Sequence, residues 1–208
     1  MTRGLLLVVG TANRKKGREL EALFSPLGLE LKTLADFPNA VSVAEDGQTF
    51  AENAVLKATR QARHLGHWVL ADDSGLMVDA LDGAPGVHSA RFSGPQATTE
   101  TNNRLLLEKL GDAPLERRTA RFVCHMALSD PPGAIRAESE ASCRGRIRFA
   151  PEGSGGFGYD PLFEIVEYHR TFGELSPLVK ACLSHRARAA RLLIPALVQL
   201  IDSGEWRS

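Results

Sequence analysis

The run Leu5-Leu6-Leu7-Val8-Val9, closed by Gly10, constrains this chain more than any other segment. A continuous apolar stretch of that length bounded by a glycine reads as a buried strand. It is followed over residues 15–27 by Leu20, Leu23, Phe24 and Leu27 at helical spacing, with Gly28 as the stop. The chain therefore opens strand, loop, helix. A second helix is signalled by Thr49-Phe50-Ala51-Glu52, which has the form of a capping box, and is expected to end at Gly66. A short strand over residues 68–71 then delivers the chain to Asp72-Asp73, and the glycine-containing stretch up to Gly94 is expected to be a long loop or irregular strands.

Further on, Thr98 or Thr99 caps an expected helix that stops at Gly111. Residues 117–128 and 134–149 flank Pro131-Pro132-Gly133 and predict a long antiparallel hairpin. A last helix is expected over residues 184–201, kinked or broken at Pro195. Strands alternating with helices argue for an α/β class, and the hairpin makes the sheet mixed. With no repeat, low-complexity run or linker-like stretch, the 208 residues are treated as a single domain.

Charge excludes some functions. Lysine plus arginine and aspartate plus glutamate number 25 each, so no global basic field draws the chain to nucleic acid or an anionic membrane. The apolar runs are far shorter than the roughly 20 residues that span a bilayer, and the start lacks a signal-peptide pattern. A cytoplasmic location is expected. Cys124, Cys143 and Cys182 are widely spaced and suggest neither a disulfide framework nor a C-x-x-C site.

Four segments could carry chemistry. Between the first strand and helix lie Thr11, Ala12, Asn13, Arg14, Lys15 and Lys16. Amides at a helix start with three basic side chains suit a phosphate, although no Walker A pattern is present and a solvated basic turn is the alternative. Asp72-Asp73-Ser74-Gly75 crowds two carboxylates, which either share a hard divalent cation such as magnesium or divide between a turn cap and water. Residues 153–161 combine four glycines with Phe157 and Tyr159 ahead of Asp160, as a platform for a base or as a flexible hairpin loop with its aromatics packed inward. Ser184-His185-Arg186 opens the last helix with basic groups that oppose the helix dipole, so they either meet an anion or hydrogen-bond partner or are simply solvated.

Taken together, these residues resemble the inosine triphosphate pyrophosphatases, which clear non-standard purine nucleotides. The pattern T-x-N-x-x-K appears as Thr11, Asn13 and Lys16. Glu45, Gly47, Thr49, Phe50, Asn53, Ala54, Lys57 and Ala58 match E-x-G-x-T-F-x-x-N-A-x-x-K-A. Asp72-Asp73-Ser74-Gly75, Gly83-Ala84-Pro85-Gly86, Ser89-Ala90-Arg91, residues 156–163, Glu174-Leu175, Lys180 and Ser184-His185-Arg186 follow in order over nearly the whole chain. Ala12, His88 and Pro195 depart from the usual pattern without removing a polar group that the chemistry needs.

The resemblance implies an elongated mixed β-sheet flanked by helices, two lobes with the active-site cleft between them, and a homodimer. It implies magnesium-dependent hydrolysis of ITP, dITP or XTP between the α and β phosphates. Asp73 is expected as general base and metal ligand, with Asp72 and Glu45 supporting the metal. The amides of residues 11–16, Lys16 and Lys57 are expected to hold the triphosphate, with Ser74 and Lys180 completing the nucleotide contacts. Phe157 is expected to stack on the base, with Gly158 and with Tyr159 or Asp160 near its edge, and His185 and Arg186 to donate to the oxygen at position 6. Adenine offers an amine there, and a site built for the oxygen can reject it by about 10⁴–10⁵-fold. A catalytically silent nucleotide-binding regulator would have a disrupted acidic pair or basic loop, and a pyrimidine-directed relative would lack His185-Arg186. Neither loss is seen.

Overall fold

A computed structural model describes residues 4–206. Seven strands form one mixed sheet in the order β2-β1-β3-β4-β5-β6-β7, with β1 at Leu6–Val9, β2 at Glu30–Thr33, β3 at Trp68–Val78, β4 at Thr119–Ser129, β5 at Ile135–Ile147, β6 at Phe163–Ile165 and β7 at Arg170–Thr171. Strand β1 pairs in parallel with both β2 and β3, whereas β6 pairs antiparallel with β5 and with β7. The helices are α1 (Arg14–Phe24), α2 (Phe50–Leu65), α3 (Thr99–Leu110), α4 (Pro177–Leu183) and α5 (His185–Asp202).

The chain divides into two compact units. The first comprises Met1–Asp73, Cys124–Ala141 and Arg186–Ser208, and the second Ser74–Val123 and Ser142–His185. In the first, Leu7, Leu20, Phe24, Leu70, Met126 and Leu193 belong to one buried cluster, which Trp68 and Trp206 close by stacking at 4.3 Å. In the second, Leu76, Val78, Leu106, Phe122, Phe163 and Phe172 form the core.

Local signals account for the helix ends. The Asn13 side chain caps α1 by accepting from the amides of Lys15 and Lys16. Thr49 caps α2 at the Glu52 amide (3.1 Å), and Glu52 returns to the Gln48 amide (2.7 Å), one residue earlier than a capping box would place it. Gly66, at φ 70°, closes α2 in the left-handed conformation that favours glycine. Thr98 caps α3, and the hairpin turn between β4 and β5 falls at Pro131-Pro132-Gly133 as expected.

One expectation is corrected. Strand β3 does not end before Asp72-Asp73 but runs on to Val78, because Leu76 and Val78 continue its buried pattern into the second unit's core. The acidic pair therefore lies in mid-strand. Of the kink or break expected at Pro195 the break does not occur: α5 runs through it, held by Leu193, Leu197 and Leu200 in the first unit's core. The short helix α4, carrying Lys180, is not among the expected helices, although Ser176 caps it and Pro177 stands at its start.

Candidate active site

Successive strand residues face opposite sides of a sheet, and that separates the two aspartates. Asp72, 1% exposed, has Lys16 Nζ at 3.3 Å from Oδ2, and Arg186 donates to the same oxygen from Nε and Nη2, each at 3.3 Å. Arg186 also donates to Glu19 on α1. Burial alone would push the Asp72 carboxyl up. Lys16 and Arg186 outweigh it and hold Asp72 well below the usual carboxylate range. The compensation that a crowded acidic pair requires is thus supplied here by two side-chain cations. Asp72 is oriented to fix Lys16 and Arg186, not to offer a metal the engaged Oδ2.

Asp73, 5% exposed, has a different surrounding. Lys57 Nζ donates to its Oδ1 at 3.0 Å, and Asn53 Nδ2 donates to its Oδ2 at 3.3 Å. The same Lys57 ammonium lies 3.3 Å from Glu45 Oε1, so the two carboxylates converge on one positive centre. Burial raises the Asp73 carboxyl above its ordinary value; Lys57 opposes this and the nearby Glu45 charge adds to it. Lys57 is held up in turn by Asp73, Asp72 and Glu45 against the opposing effect of burial. A buried carboxylate with a raised pKa is suited to taking a proton from water near neutral pH.

Two oxygen-only groups converging on a cation position fit a hard divalent ion. Among the described residues no group of three His, Cys, Asp or Glu side chains could hold a metal unaided. Such an ion would need further oxygens from water and substrate, as magnesium commonly does.

In the basic segment, Ala12, Asn13, Arg14 and Lys15 are exposed and Thr11 and Lys16 half-buried. Its amides are already engaged: Lys15 and Lys16 donate to Asn13 Oδ1 (3.0 and 3.2 Å), Asn13 to Thr11 Oγ1 (3.2 Å), and Thr11 to the Val9 carbonyl (2.9 Å). A phosphate there would exchange with the Asn13 cap for the Lys15 and Lys16 amides.

The second unit holds the remaining candidates. Asp160 Oδ2 accepts from the Phe157 amide at 2.7 Å and from Lys180 Nζ at 2.6 Å, and that ammonium sits 4.6 Å from the centre of the Phe157 ring. Gly156, at φ 72°, passes so close to the Asp160 carboxylate that a Cβ would collide with it. Phe157 and Gly158 are half-buried, and Ser74 is half-buried at the start of the unit. Tyr159 is 4% exposed and donates its hydroxyl to the Ser89 carbonyl at 2.9 Å, so its polar end is already used inside the unit. His185 is buried and stacks on Phe122 at 4.8 Å.

The structure engages one expected donor, Arg186, and one residue expected near the base edge, Tyr159, in contacts within the protein. Arg186, 1% exposed in the first unit, directs its guanidinium at Asp72 and Glu19, and Tyr159 braces a loop. It also gives contacts to polar residues for which the sequence suggested no role. Asn53 is fully buried on the face of α2 that otherwise carries Phe50, Ala54 and Ala58. A polar residue on an apolar helical stripe is the signal that could have singled it out. On α3, Asn102 donates to the carbonyls of Ser89 and Ala90, and Asn103 donates to the Gly158 carbonyl.

The model of the Ham1 family matches residues 7–196. A dITP/XTP pyrophosphatase from Rhodopirellula baltica is 54% identical over 203 residues, covering 98% of each chain. A HAM1 protein from Coxiella burnetii superposes with a TM-score of 0.85 at 36% identity, over 94% of this chain and 99% of its own. A nucleoside-triphosphatase / dITP/XTP pyrophosphatase from Mycobacterium abscessus gives 0.74 at 43% identity, over 91% and 99%.

Proposed function

The chain belongs to the Ham1 family, and from that premise we propose that it is a magnesium-dependent pyrophosphatase whose reaction centre is Asp73. It hydrolyses non-standard purine nucleoside triphosphates of the dITP and XTP class to the monophosphate and pyrophosphate, removing them from the nucleotide pool. The observation that carries the site assignment is the buried Asp73 carboxylate, set between Lys57 and Asn53 with Glu45 facing the same cation.

Each residue's role follows from its chemistry. Asp73 orients the attacking water and accepts its proton. Asp73 and Glu45 would hold magnesium, which would supply charge neutralisation at the phosphate oxygens. Lys57, next to both carboxylates, is the cation nearest that centre, and the exposed Arg14 and Lys15 with Lys16 attract the triphosphate. Asp72 acts indirectly, by holding Lys16 and Arg186 in place.

For the base, Phe157 is the stacking surface, ordered by the Asp160–Lys180 pair. Gly158 and His185 complete recognition of the purine edge, and Ser74 contacts the nucleotide. No helix among the described residues is long and apolar enough to cross a membrane. A cytoplasmic homodimer acting on a small nucleotide, with no nucleic-acid partner, completes the reading on the family resemblance.

The test is the product set from dITP. With magnesium, dIMP and pyrophosphate are expected in equal amounts. Formation of dIDP and inorganic phosphate would place cleavage at the wrong anhydride and overturn the reading.

A further inference from the structure

Asn53 is fully buried at the inner face of α2 and makes three hydrogen bonds that have nothing to do with its own helix. Its Oδ1 accepts from the Gly47 amide at 2.9 Å, and its Nδ2 donates both to the Gly47 carbonyl (3.4 Å) and to Asp73 Oδ2 (3.3 Å). Gly47 lies two residues beyond Glu45 on the segment leading into α2. One amide thus ties the Glu45 segment, through its backbone, to the carboxylate on β3.

We propose that Asn53 is the positioning residue that sets the distance between Glu45 and Asp73, and so fixes the affinity of this centre for a divalent cation. The inference rests on the assignment of those two carboxylates as metal ligands.

The chemistry of the side chain supports this. Both functional atoms of the amide are needed at once: an acceptor for Gly47 N–H and a donor for Asp73. Aspartate would keep the first and lose the second. Alanine or serine would be too short to link the two. The fit around Gly47 is equally restrictive, since a Cβ there would lie 2.7 Å from Asn53 Oδ1. The link is buried at the Asn53 end, so water cannot readily replace it. The earlier part of the Glu45 segment is anchored on α2 by Gln61 to the Val41 carbonyl at 2.5 Å and by His64 to the Asn39 carbonyl at 2.6 Å. At its last residues the Asn53 link joins the Glu52 contact to the Gln48 amide and the Lys57–Glu45 ion pair, and of these three side chains Asn53 is the one that ties the segment's backbone to Asp73. Groups that orient ligands without touching the ion typically change metal affinity or activity by about 10–100-fold when removed.

The test is direct titration of the nucleotide-free protein with Mn²⁺, followed by electron paramagnetic resonance of free manganese, for wild type, Asn53→Ser and Gly47→Ala. Each variant is expected to bind Mn²⁺ about 10–100-fold more weakly, and excess Mg²⁺ is expected to restore much of the turnover in both. Gly47→Ala breaks the link from the half-buried loop side, so it reports even if Asn53→Ser folds poorly. Glu45→Gln serves as the reference. If Glu45→Gln weakens Mn²⁺ binding while folded Asn53 and Gly47 variants bind like wild type, the positioning role is wrong. If Glu45→Gln also binds like wild type, the metal-ligand assignment fails, and this inference with it.

Discussion

Asp73→Asn is expected to lower turnover of dITP by about 10²–10⁴-fold, the usual worth of a positioned general base, while the protein melts within a few degrees of wild type. The substitution keeps size, retains an acceptor for only one of the two donors Asn53 and Lys57, and removes the property the reaction uses, a proton-accepting charge in a 5%-exposed site. The Asp73 carboxyl also gives a pH signature. In the wild type, activity should fall as the pH drops through its titration, which burial raises and a bound cation lowers, because protonation takes away the base. The residual activity of Asp73→Asn should lack that acid limb. Steady-state rates across pH check both points, and near-wild-type turnover by the variant would move the base elsewhere.

Arg186→Met is expected to act on stability. Arg186 and Asp72 are both buried, and the arginine is held by Asp72 and Glu19. Removing one partner of a buried ion pair leaves an uncompensated charge and costs about 3–5 kcal/mol. That is a large part of a typical domain's stability. Lys16 remains 3.3 Å from Asp72 and should keep the loss toward the lower end. Because Asp72 is held below its unfolded value, the stabilisation is complete above the ordinary carboxylate range and fades as the pH falls below it toward the folded-state value. The variant's deficit should therefore shrink in acid. Denaturant unfolding at several pH values measures this. A variant as stable as wild type that had lost its preference for xanthine over adenine would return Arg186 to the base.

That contrast marks what was legible in the sequence. The first strand, α2 with both of its ends, α3 and the hairpin were all announced by apolar runs, caps and turn residues, which act locally. The path of β3 through Asp72-Asp73 was not, because two aspartates, a serine and a glycine look like a loop until Leu76 and Val78 are seen to enter a second core. Short strands such as β6 and β7 owe their existence to their neighbours, and three or two residues carry no periodicity.

The candidate site shows the same division. The family resemblance named Asp73, Lys57 and Glu45, and the structure brings these three together. Spacing could not assign partners across the first unit. The pairing of Arg186 with Asp72 spans 114 residues of chain, and that of Asn53 with Asp73 spans 20. Such contacts depend on which face of β3 each aspartate takes, and one residue of register exchanges the faces. Hence Arg186 looked like a donor for substrate, and Asn53 looked like part of a motif with no role.

The central claim is that this chain spends its chemistry on purines carrying an oxygen at position 6 without the guanine amine. The most direct measurement is kcat/KM for magnesium-supported pyrophosphate release from dITP, XTP, ATP and GTP under one set of conditions. Turnover of dITP and XTP is expected to exceed that of ATP by at least about 10²-fold, a margin that a site hydrogen-bonded to the base oxygen can supply, whereas GTP carries the same oxygen and must be rejected at its 2-amino group. Equal rates on dITP and ATP would contradict it.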